Sequence, residues 1–454
     1  MKGIVETQRL FFNTDQTKSI PFRIEQLRKL KRHLLDNEHR LEQAIYQDFR
    51  KSAFDYYSCE FAIIIAEIDT AIKNVKKWAE YKKVKTSIIN FPAKSFIIPE
   101  PFGVTLVIGA WNYPYQLSLV PAVSAIAAGN TVIIKPSELS FNASRIMAEI
   151  INNNFDPAFF KVVQGGVEET ESLLNQKFDK IFFTGSISVG RIVYQAAARN
   201  LTPVTLELGG KSPAFILDDK YLQLYVKRLI WAKFLNAGQT CIAPDYVLIP
   251  SDLKKQFIAL AIREIKAQQF SIENNNYVQI INGKNVKRLS SLIDKQKIAY
   301  GGGYDLDKRI IEPTLMENVT FDDPVMQEEI FGPVLPVLTF ECLDEAIIQV
   351  KKRPKPLSCY IFTADKRMRD RILRKISFGG GEVNDAVMHV ANISLPFGGV
   401  GDSGTGSYHG EYGFRTFSHY KGILEKAVWF ESGVKYYPHN DFKRRLMKRL
   451  FRLG

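Results

Sequence analysis

A chain of 454 residues is too long for one compact core and predicts two or three domains. Its balance of 46% hydrophobic and 24% charged residues is that of a soluble globular protein, and four cysteines without CxxC pairing exclude a disulfide scaffold or a zinc ribbon, so no metal site is expected. The formal charge of +13 carries no aromatic-interleaved basic motif, which argues against nucleic acid as a partner. Reduced thiols fit a cytoplasmic compartment, and the opening "MKGIVETQRLFFNTDQTKS" has no apolar run of signal-peptide length.

Residues 20–83 show long helical periodicity, after which "KTSIINFPAKSFIIPEP" combines β-branched and aromatic residues with three prolines, as an edge strand or hairpin arm does. No charge occurs from Pro101 to Ile134, a length that on paper crosses a bilayer. Asn112, Pro114, Gln116, Pro121 and Asn130 break it into a buried strand "GVTLVIGA", a buried helix "LSLVPAVSAIAAG" and a second buried strand "NTVIIKP". That is a βαβ unit, and "FKVVQG", "KIFFTG" and "TPVTLEL" continue it as a doubly wound parallel sheet to about residue 216. A second apolar series, "YVLIP", "LPVLTF" and "LSCYIFT", predicts another α/β domain. "GGVGDSGTGSYHG" (398–410) is a glycine-rich loop that is either flexible or held tightly. In the last sixteen residues six Lys/Arg face one Asp, which supplies +5 of the charge, and Phe442, Leu446, Leu450 and Leu453 fall at helical spacing. Two readings of this segment stand level: a basic amphipathic helix on an anionic membrane surface, or a terminal helix docked on its own protein.

Chemistry gathers at a few strand ends. After "KIFFT", Gly185, Ser186 and Gly190 lead into a helix, where free N–H groups and the dipole favour a phosphate, although GxxxxG is not the usual dinucleotide fingerprint and equally fits a plain strand–helix turn. Lys135 and Glu138 in "VIIKPSE" end a parallel strand and can hold ribose hydroxyls, or form a surface ion pair. Glu207 in "VTLELGG" is a carboxylate at an apolar strand end, as a general base with raised pKa requires; a Glu simply turned to solvent is the plainer reading. Among the cysteines, Cys59 and Cys359 lie in apolar surroundings and Cys342 has no polar partner pattern. Cys241 sits among Asn236, Gln239 and Thr240 with glycine beside it, so elimination leaves it as the candidate nucleophile.

The motifs "GAWNYP", "KPSE", "FTGSISVG", "TLELGGKSP", "NAGQTC" and "EEIFGPV", in this order, resemble the NAD(P)-dependent aldehyde dehydrogenase superfamily. The short N-terminus, "VVQGGVEET" and "PFGGVGDSGTGSYHGEYGFRTFSH" are similar to its class 3 branch, which includes fatty and aromatic aldehyde dehydrogenases. The resemblance implies Cys241 as thiolate nucleophile, Asn112 as oxyanion donor with the Cys241 N–H, and Glu207 as the base that activates water. It further implies coenzyme contacts from Trp111, Lys135, Glu138, Gly185, Ser186, Gly190, Glu329 and Phe331. NAD is the expected coenzyme, with NADP as a second acceptor. Also implied are a Rossmann-like cofactor domain (1–84 and 102–208), an α/β catalytic domain (209–410), a small β bridging element (85–101 and 411–433) that supports a homodimer, and the separate tail 438–454. The sequence departs from the class pattern at Asp402, Thr405 and Glu411–Phe414. The expected reaction is oxidation of medium- or long-chain apolar or aromatic aldehydes to acids. Coenzyme A-acylating and semialdehyde dehydrogenases on the same fold are the alternatives.

Overall fold

The computed structural model describes the backbone of residues 1–453 and side chains up to Arg452; Gly454 and the Leu453 side chain, part of the expected apolar face of the tail, lie outside the described residues. Long helices Ile20–Asp36, Glu38–Phe49 and Ala62–Trp78 occupy the region of helical periodicity. A helix the sequence pattern does not announce, Lys2–Phe12, packs on strands Val104–Ile108 and Thr131–Lys135. Its buried Gln8 Nε2 donates to the carbonyls of Val132 (3.0 Å) and Pro157 (3.2 Å).

The first sheet runs in the order Gly404–Thr405, Val204–Glu207, Lys180–Thr184, Val104–Ile108, Thr131–Lys135, Phe160–Val162, and only Gly404–Thr405 is antiparallel. The central strands are buried on both faces, hence their unbroken apolar runs. The chain steps outward from Val104–Ile108 to Phe160–Val162, then returns to the other side at Lys180–Thr184. The switch point therefore lies between Val104–Ile108 and Lys180–Thr184, and loops leaving their carboxyl ends flank a crevice there. A second sheet orders Ile298–Tyr300, Thr314–Met316, Val334–Phe340, Tyr246–Pro250, Pro213–Ile216, Ser358–Phe362 and Gly380–Val383, parallel except for its first strand. A third, antiparallel sheet joins Lys82–Val84, Ala93–Pro101 and Ser418–Lys426, the last two paired over nine residues from Ser418–Pro101 to Lys426–Ala93. The α/β class, two parallel sheets and a small β element are as the sequence predicts.

Around the expected boundary at residue 410 the chain contacts the first sheet and its helices. Strand Gly404–Thr405 pairs with Leu206 and Glu207 of the first sheet, and helix Gly410–Thr416 packs on Gln116–Ala128 and Ala62–Trp78. The chain thus returns to the first domain before it enters the third sheet. The glycine-rich loop is held tightly to do so: a Cβ on Gly404 would lie 2.2 Å from the Leu206 carbonyl oxygen, and one on Gly398 would lie 2.2 Å from that of Gly406. The third sheet likewise begins earlier than expected, at Lys82.

At Gly413 an added Cβ would meet Ser124 Oγ at 2.2 Å. Gly413→Val is expected to lower unfolding stability by about 1–3 kcal/mol through overpacking of the Gly410–Thr416 helix on the first domain, read from the urea midpoint. An unchanged midpoint would contradict that packing.

Candidate active site

Helix Leu222–Phe234 ends in a turn of three successive left-handed residues, Asn236 (φ 53°), Ala237 (φ 52°) and Gly238 (φ 69°). Two of them are not glycine, and such backbone costs of order 1–3 kcal/mol per residue. Buried amides hold it. Gln239 Nε2 donates to the carbonyls of Asn236 and Gln279, both at 3.1 Å, and Gln239 Oε1 accepts from the Ile281 N–H at 3.0 Å. Asn236 Nδ2 donates to the carbonyls of Gln239 (3.1 Å) and Asn112 (3.3 Å). The turn leaves Cys241 partly exposed. Cys359 is fully buried, Cys59 is half-buried on a π-helical turn, Tyr57–Phe61, and Cys342 is exposed.

The loop after strand Val104–Ile108 comes to meet this turn. Asn112 Nδ2 donates to the Gln239 carbonyl at 3.0 Å, and the Tyr113 hydroxyl lies 2.6 Å from Thr240 Oγ1. Behind it the fully buried Lys51 Nζ donates to the Asn112 carbonyl (3.0 Å) and to Glu60 Oε1 (2.8 Å). Glu60 Oε2 accepts the N–H groups of Tyr115 (2.9 Å) and Gln116 (3.2 Å), at the start of helix Gln116–Ala128.

Glu207 ends its strand with a 3% exposed side chain, and neither carboxylate oxygen has a hydrogen-bond partner among the described residues. Burial pushes its pKa well above the usual carboxylate range. Glu329 is raised to about 8, first by burial and then by Asp245, with the Gly210 N–H, Lys211 and Arg288 working against the rise. Gly209 makes room for this carboxylate, since a Cβ there would lie 1.9 Å from Oε2. Burial is also the main reason the Cys241 thiol is raised above its ordinary range, followed by the charges of Glu329 and Glu207. Both carboxylates therefore lie within electrostatic reach of Cys241. Phe331, itself left-handed (φ 49°), sets its ring edge-on to Trp111 with centroids 5.4 Å apart.

At the first sheet's carboxyl edge Lys135 is buried, donates to the Pro136 carbonyl at 2.8 Å and lies 4.0 Å from Glu138 Oε2, while Glu138 stays half exposed. Burial lowers the Lys135 pKa, and Glu138 and Glu169 oppose the change. Ser186 Oγ caps helix Ile187–Ala198 by accepting from the Val189 N–H. Gly190 lets that helix lie against Leu208, whose Cδ2 an added Cβ would meet at 2.6 Å. A helix N-terminus and a buried ammonium along one sheet edge are the kinds of group that can receive an extended phosphate-bearing ligand. Cys241, Glu207 and Asn112 thus converge with Trp111, Glu329 and Phe331, while Lys135, Glu138, Gly185, Ser186 and Gly190 lie along the sheet edge. Sequence reasoning missed Lys51, Glu60, Tyr113, Lys211, Lys233 and Asp245. Glu60 and Lys233 carried a usable signal, each being a charge on an otherwise apolar helical stretch.

Beside the cysteine turn opens a cavity of about 910 Å³ lined by Phe54, Leu224, Trp231, Phe234, Leu235 and Asn236, among others. Phe54, Leu224, Trp231 and Met388 leave apolar surface open at its mouth.

Residues 4–423 match the aldehyde dehydrogenase family. The chain is 46% identical over 449 residues to the 4,4'-diaponeurosporen-aldehyde dehydrogenase of Staphylococcus aureus, covering 98% of this chain and 97% of that protein. To aldehyde dehydrogenase family 3 member A2 of Pongo abelii it is 44% identical over 441 residues, 96% of this chain and 91% of that one. The solved substrate-bound state of Staphylococcus aureus AldH superposes with a TM-score of 0.96 at 45% identity, covering 99% of both chains.

Because a neighbouring carboxylate opposes ionisation of the Cys241 thiol, Glu329→Gln is expected to speed alkylation of Cys241 by iodoacetamide at pH 9 by roughly three- to tenfold. At that pH Glu329, with its pKa near 8, is ionised in the parent protein. Below pH 7, where Glu329 holds its proton, the ratio of the two rates is expected to approach one. Peptide mapping of the alkylated site checks both limbs.

Proposed function

The chain belongs to the aldehyde dehydrogenase family, in its class 3 branch, and on that premise we propose how its residues divide the oxidation of an aldehyde to a carboxylic acid with NAD(P)+. The Cys241 thiolate adds to the aldehyde carbonyl, and the Asn112 amide with the Cys241 N–H receives the oxyanion. NAD(P)+, when bound, supplies the hydride acceptor. Lys135 and Glu138 hold the adenosine ribose, and Gly185, Ser186 and Gly190 border the phosphates. Glu329 takes the nicotinamide ribose, with Phe331 and Trp111 walling the ring. Glu138 suits a free 2′-hydroxyl, which favours NAD, and Lys135 beside it tolerates NADP. Once oxidation has left a thioester on Cys241, Glu207 takes a proton from water and the acid is released. The observation that carries this reading is the buried Glu207 carboxylate beside Cys241 with both oxygens unengaged. Transfer of the acyl group to coenzyme A has no use for such a base.

Phe54, Leu224, Trp231, Phe234 and Leu235 on the cavity beside Asn236 suit an apolar substrate chain, while Asp55, Lys227, Arg228 and Glu264 line the same cavity. The NAD(P) sheet, the Cys241-bearing sheet and the three-stranded sheet act as cofactor, catalytic and bridging domains. The exposed edge of Ser418–Lys426 is a template for a homodimer. Among the described residues no helix is long and apolar enough to cross a membrane. The tail helix Asp441–Leu453 touches the turn Ile88–Asn90 yet leaves Phe442 and Phe451 exposed beside its Lys and Arg residues. Trp429 and Tyr437 are exposed on the segment leading to it. This combination suits peripheral contact with an anionic bilayer.

Cys241→Ala is expected to abolish NAD(P)H production from every aldehyde in a panel from acetaldehyde to long-chain and aromatic substrates, with the parent preferring long chains. Glu207→Gln is expected to keep a first-turnover burst while steady turnover falls about 10²- to 10⁴-fold. A full steady rate in that variant would remove Glu207 as base. Truncation after Tyr437 is expected to abolish sedimentation with phosphatidylserine vesicles and to leave a dimer in analytical ultracentrifugation. Unchanged vesicle binding would reject the tail as membrane contact, and a monomeric parent would reject the dimer.

A further inference from the structure

Glu67 lies in helix Ala62–Trp78 and His409 at the end of the glycine-rich loop, and both side chains are buried. His409 Nδ1 donates to Glu67 Oε1, and the Gly410 N–H donates to Glu67 Oε2 at 3.0 Å and to Oε1 at 3.3 Å. His409 is left-handed (φ 82°) and Gly410 follows at φ 48°, so the chain bends in an uncommon way where this carboxylate receives it. The His409 ring stacks on that of Tyr408 with centroids 4.4 Å apart and stands edge-on to Phe397 at 5.6 Å. A buried carboxylate is costly unless its oxygens are used, and here three donor contacts use them. What they hold is one end of a loop whose other end frames Glu207.

Contacts lead step by step from the pair to that strand. Tyr408 and Phe397 exchange both backbone hydrogen bonds, at 2.8 and 3.1 Å. The Tyr408 ring stands edge-on to Phe182, centroids 5.0 Å apart, in the strand paired with that of Glu207. A Cβ on Gly406 would lie 3.0 Å from Thr205 Oγ1. Gly404 and Thr405 then pair with Glu207 and Leu206, and the Ser403 carbonyl accepts the Leu208 N–H at 3.1 Å. On its other side the Glu207 carbonyl takes the Gly185 N–H at 3.0 Å, within the body of the first sheet. Residues 403–406 are therefore the edge half of the frame around Glu207. With Gly401, Gly404 and Gly406 all at positive φ, this half has little stiffness of its own. Two side chains from distant elements bond the loop: Arg191 reaches Asp402 at 3.4 Å from an exposed position, and Glu67 receives the far end inside the core.

We propose that Glu67, through His409 and the Gly410 N–H, is a positioning residue for the hydrolytic step: it tethers residues 403–409 against the Glu207 strand and so fixes where the Glu207 carboxylate meets water. This rests on the reading of Glu207 as base given above. In that step water adds to the thioester carbon, Glu207 takes its proton, and the C–S bond breaks to release the acid and the Cys241 thiolate. The earlier steps use Cys241 and Asn112, whose loop hangs on Lys51 and Glu60. Loss of the Glu67 tether therefore slows hydrolysis and spares what precedes it.

The test reads NADH formation from decanal in two ways, as a single turnover with enzyme in excess and as the steady rate. The proteins are the parent, Glu67→Ala, His409→Asn, Glu207→Gln and the double variant of Glu67→Ala with Glu207→Gln. In Glu67→Ala the steady rate is expected to fall roughly tenfold while the single turnover stays within about twofold of the parent. In the Glu207→Gln background the same substitution is expected to change the steady rate by less than about twofold, since a base already lost cannot be misplaced. His409→Asn keeps a residue that accepts left-handed backbone and shortens the reach to Glu67. It is expected to show the same split at roughly threefold, and it carries the test if Glu67→Ala does not fold. A merely structural Glu67 would slow both readings by one factor, or would slow the steady rate equally in the Glu207→Gln background, and either result overturns the proposal. Parent-like rates in Glu67→Ala, or in His409→Asn where that variant carries the test, overturn the proposal alone when Glu207→Gln has lost steady turnover. A full steady rate in Glu207→Gln removes the base, and the proposal with it.

Discussion

The active site depends on one buried ion pair that touches neither reacting atom. Lys51 and Glu60 are 1% and 0% exposed, 2.8 Å apart, and come from the N-terminal helical region. Removing two charges from water is costly, and their attraction offsets that cost only when the remaining donors and lone pairs are used as well. Here they are. Lys51 also donates to the Asn112 carbonyl and lies 4.1 Å from the centre of the Tyr113 ring, while Glu60 accepts two backbone N–H groups at the start of helix Gln116–Ala128. A carboxylate there also meets the positive end of the helix dipole. The pair contributes little net stability; what it fixes is where the Asn112 loop leaves the first sheet, and hence which way the Asn112 amide points.

A second pair does the same from the other domain. Lys211 follows the Gly209–Gly210 turn after Glu207, and Asp245 follows Cys241 by four residues. Their contact draws in the Val325 and Glu328 carbonyls and the Ile330 N–H. Three segments distant in sequence, bearing Glu207, Cys241 and Glu329, are thereby referred to one point. Both clamps act on backbone groups, which explains how short polar segments hold a strained turn such as Asn236–Gly238 in place.

This division explains what the sequence made legible. Strands such as "VTLVI" and "TVIIK" are apolar on every residue because both faces are covered, so their pattern and length carry the fold directly. Cys241 stood out because it sits in a short polar, glycine-bearing break between such runs, whereas Glu207, at the end of an apolar strand, gained a role only through the family resemblance. The clamps did not, since the meaning of Lys51 or Asp245 arises only when residues 51, 60 and 112, or 211, 245 and 330, are brought together. The return of Gly404–Thr405 to the first sheet was hidden for a related reason: a two-residue edge strand has no period to read, and its placement rests on glycine contacts with Leu206.

The contrast between satisfied and unsatisfied polar groups separates scaffold from site more sharply than burial does. Lys51, Glu60 and Asp245 are buried and Lys211 is mostly so, yet both carboxylates use both oxygens and both ammonium groups are bound. Within the same region both Glu207 oxygens, Lys233 Nζ and Asn236 Oδ1 have no partner among the described residues. A fold held by the first set can tolerate the second, because the clamps fix the backbone regardless of what the open groups do. Among the second set the Glu207 carboxylate also acts on Cys241: burial first, and then the charges of Glu329 and Glu207, hold the Cys241 thiol above its ordinary range.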